Sequence, residues 1–254
     1  MPAPVNRLKQ RLAAGETLFG CWLSLADANT AEIMGTAGFD WLCIDGEHAP
    51  NDIRSIRDQL AVLQSCASEV MVRPPAGEAW IIKQVLDVGA QTVLVPMVES
   101  AAQARALVRA CTYPPRGIRG VGASSARASR FGAVPDYVTT ANGEICLLVQ
   151  VESRAGHAAL DDILGVEGVD GVFVGPADLA ADMGHAGNSS APPVQDAIRD
   201  ILGRVAAAGK PAGIMCLDDR TPAYLDWGAR FVAVGIDALL LAKSARALAA
   251  SSGG

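Results

Sequence analysis

Eight short apolar runs punctuate the chain, each entered from glycine or charged residues and left at a polar cluster. They cover residues 18–24, 41–45, 70–73, 92–97, 145–151, 171–175, 212–217 and 231–235. Between them lie stretches with helical spacing at 30–38, 52–66, 78–88, 101–111, 155–164, 194–208, 221–228 and 238–249. Asn51-Asp52 and Ser100 stand where helix caps belong, and Gly38, Gly89, Gly209 and Gly228 stand where helices should stop. The strands are near-continuous apolar runs, as in Thr92-Val93-Leu94-Val95-Pro96-Met97, which is the pattern of a parallel sheet covered by helices on both faces. Eight such alternations close naturally into a (β/α)8 TIM barrel, with an open doubly wound sheet as the alternative. No Pro/Ser-rich linker divides the chain, so residues 1–254 are read as one domain. Two longer loops, 112–142 and 183–193, interrupt the rhythm and are expected to serve function or subunit contacts. The tail Ser251-Ser252-Gly253-Gly254 is expected to be mobile.

Composition narrows the function classes. The 254 residues are 50% hydrophobic and 19% charged, ample for a large core, and the net charge is −6. No compact Lys/Arg run exists to neutralise phosphates, so neither nucleic acid nor an anionic membrane is an expected partner. The six cysteines, at 21, 43, 66, 111, 146 and 216, form no Cys-x-x-Cys pair and read as buried reduced thiols. Residues 1–12 lack the apolar core of a signal peptide, and no run reaches the roughly 18 apolar residues of a membrane span; a cytoplasmic location is expected.

A barrel gathers chemistry just after its strand ends, on the carboxyl-terminal face. Here those positions hold Asp45-Gly46-Glu47-His48, Arg73-Pro74, Glu99-Ser100, Gln150-Val151-Glu152-Ser153 and Gly175-Pro176-Ala177-Asp178. Glu152 and Asp178 end neighbouring strands and suit a hard divalent ion, Mg²⁺ or Mn²⁺; the plainer reading pairs Glu152 with Arg154 and makes Asp178 a helix cap. His48 is a candidate base, with Asp45, Glu47 or Asp87 as its supporting carboxylate, a choice that spacing leaves open. Arg73 can stabilise an enolate, or form a structural ion pair with Asp45 or Glu47. His157 and His185 read as surface residues. Of the four lysines, Lys83 and Lys243 fall in helices, Lys9 near the N-terminus and Lys210 on the opposite face, so none suits a Schiff base. The run Gly117-Ile118-Arg119-Gly120-Val121-Gly122 does not follow a strand and open a helix, as a nucleotide fingerprint must, and reads as a flexible loop.

Several long motifs resemble the class II, metal-dependent pyruvate aldolases. They are Phe39-Asp40-Trp41-Leu42-Cys43-Ile44-Asp45-Gly46-Glu47-His48-Ala49-Pro50, Ile82-Lys83-Gln84-Val85-Leu86-Asp87-Val88-Gly89 and Val95-Pro96-Met97-Val98. Tyr113-Pro114-Pro115-Arg116-Gly117-Ile118-Arg119-Gly120 and Gly168-Val169-Asp170-Gly171-Val172-Phe173-Val174-Gly175-Pro176-Ala177-Asp178-Leu179 extend the match to about residues 8–250. Within that family the chain is most similar to the 4-hydroxy-2-oxoheptanedioate aldolases, with the 2-dehydro-3-deoxyglucarate aldolases as near relatives. The resemblance implies a barrel of the phosphoenolpyruvate/pyruvate type, a C-terminal helix packed on a neighbouring subunit, and a hexamer. It implies a divalent ion (Mg²⁺, Mn²⁺ or Co²⁺) on Glu152 and Asp178, His48 as base, Asp87 as the acid that raises its pKa, and Arg73 as enolate stabiliser. Gln150, Ala177 through its backbone, Asp178 and Arg73 match positions that hold the pyruvate-like part of the substrate. The chain departs from the pattern around Asn188-Ser189-Ser190-Ala191-Pro192-Pro193 and at its termini, which leaves the aldehyde open.

The implied reaction is reversible cleavage of a 2-keto-4-hydroxy acid to pyruvate and an aldehyde, succinate semialdehyde in the heptanedioate case. A sugar-acid aldolase or a CoA-ester lyase on the same barrel is the alternative, and a non-catalytic keto-acid sensor is the rival from another class. Arg127 and Arg130 are candidates to bind a distal carboxylate, or else to form surface or intersubunit ion pairs.

Overall fold

The computed structural model describes residues 1–252. Its eight strands are β1 (Leu18–Leu23), β2 (Trp41–Asp45), β3 (Glu69–Arg73), β4 (Thr92–Val95), β5 (Cys146–Val151), β6 (Gly171–Val174), β7 (Ala212–Met215) and β8 (Ala229–Ile236). All pair in parallel with the next in sequence, and β8 returns to β1, closing the barrel. All eight apolar runs are strands. The fourth ends at Val95, two residues early, and Met97 beyond it takes a left-handed conformation (φ +54°) that no strand can continue.

The helices are α1 (Arg7–Ala13), α2 (Ala28–Gly35), α3 (Ile53–Leu63), α4 (Ala79–Asp87), α5 (Ala101–Cys111), α6 (Tyr137–Glu144), α7 (Arg154–Ala158), α8 (Leu160–Leu164), α9 (Pro176–Asp182), α10 (Pro192–Ala207), α11 (Thr221–Asp226) and α12 (Asp237–Ser252). The expected caps are in place: Asp52 accepts from the backbone N–H of Arg54 and Ser55, and Ser100 from that of Gln103. Gly89 and Gly228, both at φ +111°, follow α4 and α11 in a conformation that favours glycine. Two expectations are corrected: the stretch 155–164 is broken into α7 and α8, and the loop 112–142 turns helical from Tyr137, where α6 begins. Ser251 and Ser252 are the last residues of α12. Gly253 and Gly254 lie outside the described residues.

Strand alternation sorts side chains into two cores. Outward residues such as Leu42, Ile44, Val72, Val93 and Val149 pack beneath the helices. Inward residues fill the barrel: Leu18 and Trp22 from β1, Trp41 and Cys43 from β2, Met71, Leu94, Cys146, Leu148, Phe173, Phe231 and Ala233. Leu8 and Leu12 of α1, a helix absent from the sequence reading, join that inner core. The aromatics interlock edge to face, Trp22–Phe173 at 6.0 Å and Trp41–Phe231 at 6.2 Å between ring centres. Glycines make room for them: a Cβ at Gly20 would lie 2.1 Å from the Trp41 ring. The seam between β8 and β1 is tied by buried Asp237, whose carboxylate accepts from the backbone N–H groups of Ser24 and Leu25 and from the Ser24 hydroxyl.

The six cysteines are free, and all but Cys66 are buried. Among the described residues no helix is long and apolar enough to cross a membrane. Gly20→Ala is expected to lower stability by about 1–3 kcal/mol through overpacking against Trp41, read from urea unfolding; a variant as stable as the parent would show that the inner aromatic layer yields freely.

Candidate active site

Following the inward positions upward along each strand leads from an apolar floor to a polar mouth. β2 runs Trp41, Cys43, Asp45; β3 runs Met71, Arg73; β5 runs Cys146, Leu148, Gln150, with Glu152 just beyond its end. The parallel register sets Asp45 directly beside Arg73. Their side chains accordingly meet in a fork, Arg73 Nε and Nη2 donating to the two Asp45 oxygens at 2.9 and 2.8 Å. Arg73 Nη1 lies 2.6 Å from Glu47 Oε2, a close charge contact without hydrogen-bond alignment, and donates to Gln150 Oε1 at 3.4 Å. The guanidinium also stacks 4.2 Å over the Trp22 ring. It is buried and held on every side. The structural ion pair weighed for Arg73 is therefore present, and it aims the residue into the mouth.

Glu152 is only 3% exposed. One oxygen accepts from the Met97 backbone N–H at 2.9 Å, the other from Gln150 Nε2 at 2.8 Å. The strained turn at Met97 is what delivers that N–H. Burial pushes the Glu152 carboxyl up to about 7, against the Met97 hydrogen bond, and the charges of Asp178 and Glu47 add to the rise. Burial likewise raises Glu47, opposed by Arg73 and His48. Gly175 passes so close that a Cβ there would lie 2.1 Å from Glu152 Oε2, so the turn into α9 needs a residue without a side chain. Neither plainer reading of the acids holds: Arg154 pairs with Asp182, and Asp178, in the first turn of α9, makes no side-chain cap.

These groups share a cavity of about 520 Å³ at the carboxyl-terminal mouth. Asp45, His48, Arg73, Gln150, Glu152, Ala177 and Asp178 all line it. His48 is exposed, its backbone N–H held by Asp45 and its Nε2 3.8 Å from Glu47 Oε2. Cavity residues that sequence reasoning did not single out include Trp22, Phe173, Met215, Leu217, Asp218, Arg220 and Tyr224. The first three are inward strand positions, which alternation could have shown; the rest come from the loop after β7 and from α11.

Asp87 is not among them. It ends α4, and helices of a barrel run back toward the amino-terminal face, so within one chain it sits at the opposite end and binds Arg119 Nη2 at 2.7 Å. The loop 112–142 lies at that end too, because it joins the end of α5 to the start of β5. Arg127 there donates to the carbonyls of Val88 and Leu60, and Arg127 and Arg130 line a separate cavity with Pro4 and Gln91. Neither reaches the mouth of its own barrel, so neither of the two can meet a distal carboxylate within its own chain. The run 117–122 is pinned rather than free: Arg119 is fully buried, stacked 4.5 Å from the Tyr113 ring, with its backbone N–H on Thr112. The lysines fall as expected, Lys210 binding the Val169 carbonyl and Lys9 the Ile145 carbonyl, away from the mouth. His157 pairs with Asp200 at 2.7 Å outside the site.

The sequence pattern of the HpcH/HpaI aldolase/citrate lyase family matches residues 18–244. A hydroxypyruvate/pyruvate aldolase of Roseovarius nubinhibens is 62% identical over 247 residues, covering 97% of this chain and 96% of the relative. A 4-hydroxy-2-oxo-heptane-1,7-dioate aldolase of Klebsiella pneumoniae is 52% identical over 246 residues, covering 96% and 93%. The crystal structure of an HpcH/HpaI aldolase/citrate lyase family protein from Burkholderia cenocepacia superposes with a TM-score of 0.95 at 40% identity, covering 98% of this chain and all of that one. A closed eight-stranded barrel, a carboxylate-lined mouth and relatives of this likeness place the chain in the HpcH/HpaI aldolase/citrate lyase family, as an aldolase that makes and breaks carbon–carbon bonds.

Proposed function

We propose that the enzyme reversibly cleaves 2-keto-4-hydroxy acids of the 4-hydroxy-2-oxoheptanedioate type to pyruvate and an aldehyde such as succinate semialdehyde, assisted by a divalent cation. One observation carries this reading. A guanidinium locked by Asp45 faces the same cavity as a buried carboxylate, Glu152, that has no ion-pair partner among the described residues. Asp45, Glu47, Glu152 and Asp178 outnumber Arg73, leaving the mouth short of positive charge. All the surplus donors are hard oxygens, which suit magnesium, manganese or cobalt. Among the described residues no cage of three or more His, Cys, Asp or Glu side chains forms. Glu152 and Asp178 would hold such an ion, with water and substrate oxygens completing its shell. When bound, such a cation supplies Lewis-acid polarisation of a keto oxygen.

The protein's own residues do the rest. Gln150 and the backbone at Ala177 hold the keto-acid end of the substrate. His48 accepts the proton of the C4 hydroxyl as the C3–C4 bond breaks, and the bonding pair passes into the pyruvate enolate. Arg73, already oriented by Asp45, stabilises the enolate oxygen without having to reorganise. A proton delivered to C3 then completes pyruvate. Asp87 of the same chain has no part in these steps, because it lies at the other end of the barrel.

The similarity to hydroxypyruvate/pyruvate aldolases at 56–62% identity supports hydroxypyruvate as a second nucleophile in the same site. We also propose a homo-oligomer, a hexamer as the resemblance implies. Helix α12 buries only Asp237, and its exposed Leu241 and Leu248, two turns apart on one side, offer a face to a second copy of the chain. Analytical ultracentrifugation should give the mass of six chains, reduced by Leu241→Glu; a wild-type monomer would refute this.

A lactate-dehydrogenase-coupled assay tests the reaction, run in the cleavage direction with and without EDTA and Mn²⁺. Succinate semialdehyde, glyceraldehyde and tartronate semialdehyde, paired with pyruvate or hydroxypyruvate, test synthesis. Activity should vanish on chelation and return with metal, and Arg73→Ala should lose on the order of 10²–10³ in kcat. Full activity after chelation, with borohydride trapping a pyruvate adduct, would overturn the proposal.

Stability of the chelated enzyme gives a separate check. Glu152 holds its proton to about 7 in the folded state, whereas an ordinary glutamate titrates near 4.5. The unfolded chain therefore loses this proton first, and stability falls as pH rises between those values and levels off above. In thermal melts from about pH 5 to 8, Glu152→Gln should show a smaller fall in Tm than the parent; equal falls would show that the carboxyl titrates normally.

A further inference from the structure

We infer that Arg220 reads a terminal carboxylate on the aldehyde, which makes it a specificity-determining residue; the inference rests on the aldol reading of the cavity above. The cavity has two polar poles. One is the Arg73–Glu152–Asp178 cluster, where the keto acid sits. The other is built by the loop after β7, which carries Asp218 and Arg220, with Ser189 from the loop before α10 and Tyr224 from α11. Apart from these groups the wall is largely apolar: Trp22, which stacks on Arg73, and Phe173, Met215, Leu217, Ile236 and Leu239. An aldehyde reacting at the first pole extends its far end along that wall toward the second.

A carboxylate at that far end must find a positive partner, because leaving it desolvated and unpaired is costly. Among the described residues lining the cavity, Arg220 is the one guanidinium besides Arg73. Arg127 and Arg130 lie at the opposite end of the barrel. Arg220 is also held ready. Its Nη1 donates to Asp218 Oδ2 at 2.7 Å and its Nη2 to the Ser190 hydroxyl, while its backbone N–H donates to Asp218 Oδ1 at 3.0 Å. A guanidinium carries five N–H groups in a rigid fork, and these side-chain contacts use two. Asp218 plays the opposing part. Its negative charge beside the fork repels an incoming carboxylate, so it tempers the preference that Arg220 creates.

The two residues therefore have opposite expected effects, which separates recognition from a merely structural ion pair. The readout is the ratio of kcat/KM for succinate semialdehyde to that for butanal, an uncharged aldehyde of the same carbon count, each with pyruvate and saturating Mn²⁺. Arg220→Gln should lower this ratio by about tenfold or more, the worth of a charged hydrogen bond, chiefly through KM for succinate semialdehyde. Arg220→Lys, which keeps the charge and loses the fork, should fall between. Asp218→Asn, which keeps the turn and removes the charge, should raise the ratio. A ratio unmoved by Arg220→Gln, or arginine and aspartate variants that shift it in the same direction, would overturn the inference. If Arg220→Gln does not fold, the lysine and asparagine variants decide the matter by the same ratio. Deuterium exchange into the pyruvate methyl group, measured on the wild-type enzyme without aldehyde, keeps the two proposals apart. Exchange with an unmoved ratio removes only the role of Arg220, whereas neither exchange nor aldol turnover removes the keto-acid reading and this inference with it.

Discussion

A guanidinium sealed in the mouth of a barrel has to be neutralised where it stands, and Arg73 is neutralised by Asp45 across a single strand pairing. The parallel register places the two residues side by side, and both Arg73 N–H donors that reach Asp45 do so within 2.9 Å. Removing one partner of a buried pair typically costs about 3–5 kcal/mol, since the other is left charged and unpaired. The arrangement is thus fixed by the same energetics that hold the sheet together. Trp22 closes one face of the guanidinium and Gln150 bridges it to Glu152, so the position of the cation sets the position of the acid.

From that fixed point the electrostatics of the mouth follow. Asp45 is spent on Arg73, and Glu47 lies against the same guanidinium. Glu152 is left with two neutral hydrogen-bond donors and the repulsion of Asp178 and Glu47. Burial and those like charges favour the protonated form and raise the Glu152 carboxyl to about 7. The backbone participates as well. The left-handed turn at Met97 aims an N–H at one oxygen, and Gly175 leaves space for the other, so two backbone features serve one side chain.

Much of this is legible in the sequence because a parallel barrel turns chain order into spatial order. Strands buried on both faces read as unbroken apolar runs, and the residues that follow them, Asp45 to His48, Arg73, Gln150, Glu152 and Asp178, come together at one rim. What could not be read is whatever depends on direction or depth. Asp87 ends helix α4, and Arg127 and Arg130 sit in the loop that follows α5, so all three lie at the other end within this chain. Helix α1 is polar along most of its length, and only Leu8 and Leu12 face inward, too few to mark a core helix by period. Arg220 sits in a loop whose course no periodicity describes.

The division between strands and loops also bears on why similar chains carry different substrate names. The pole around Arg73 is made chiefly of strand residues, with Asp45 set beside Arg73 by the register and Gln150 and Glu152 hydrogen-bonded to each other in burial. The distal pole is made of the loop after β7, the loop before α10 and the start of α11. Loops tolerate change that a buried strand does not. A barrel of this kind can therefore keep its bond-breaking chemistry intact while its choice of aldehyde drifts, because the two are held by parts of the fold with different freedom to vary.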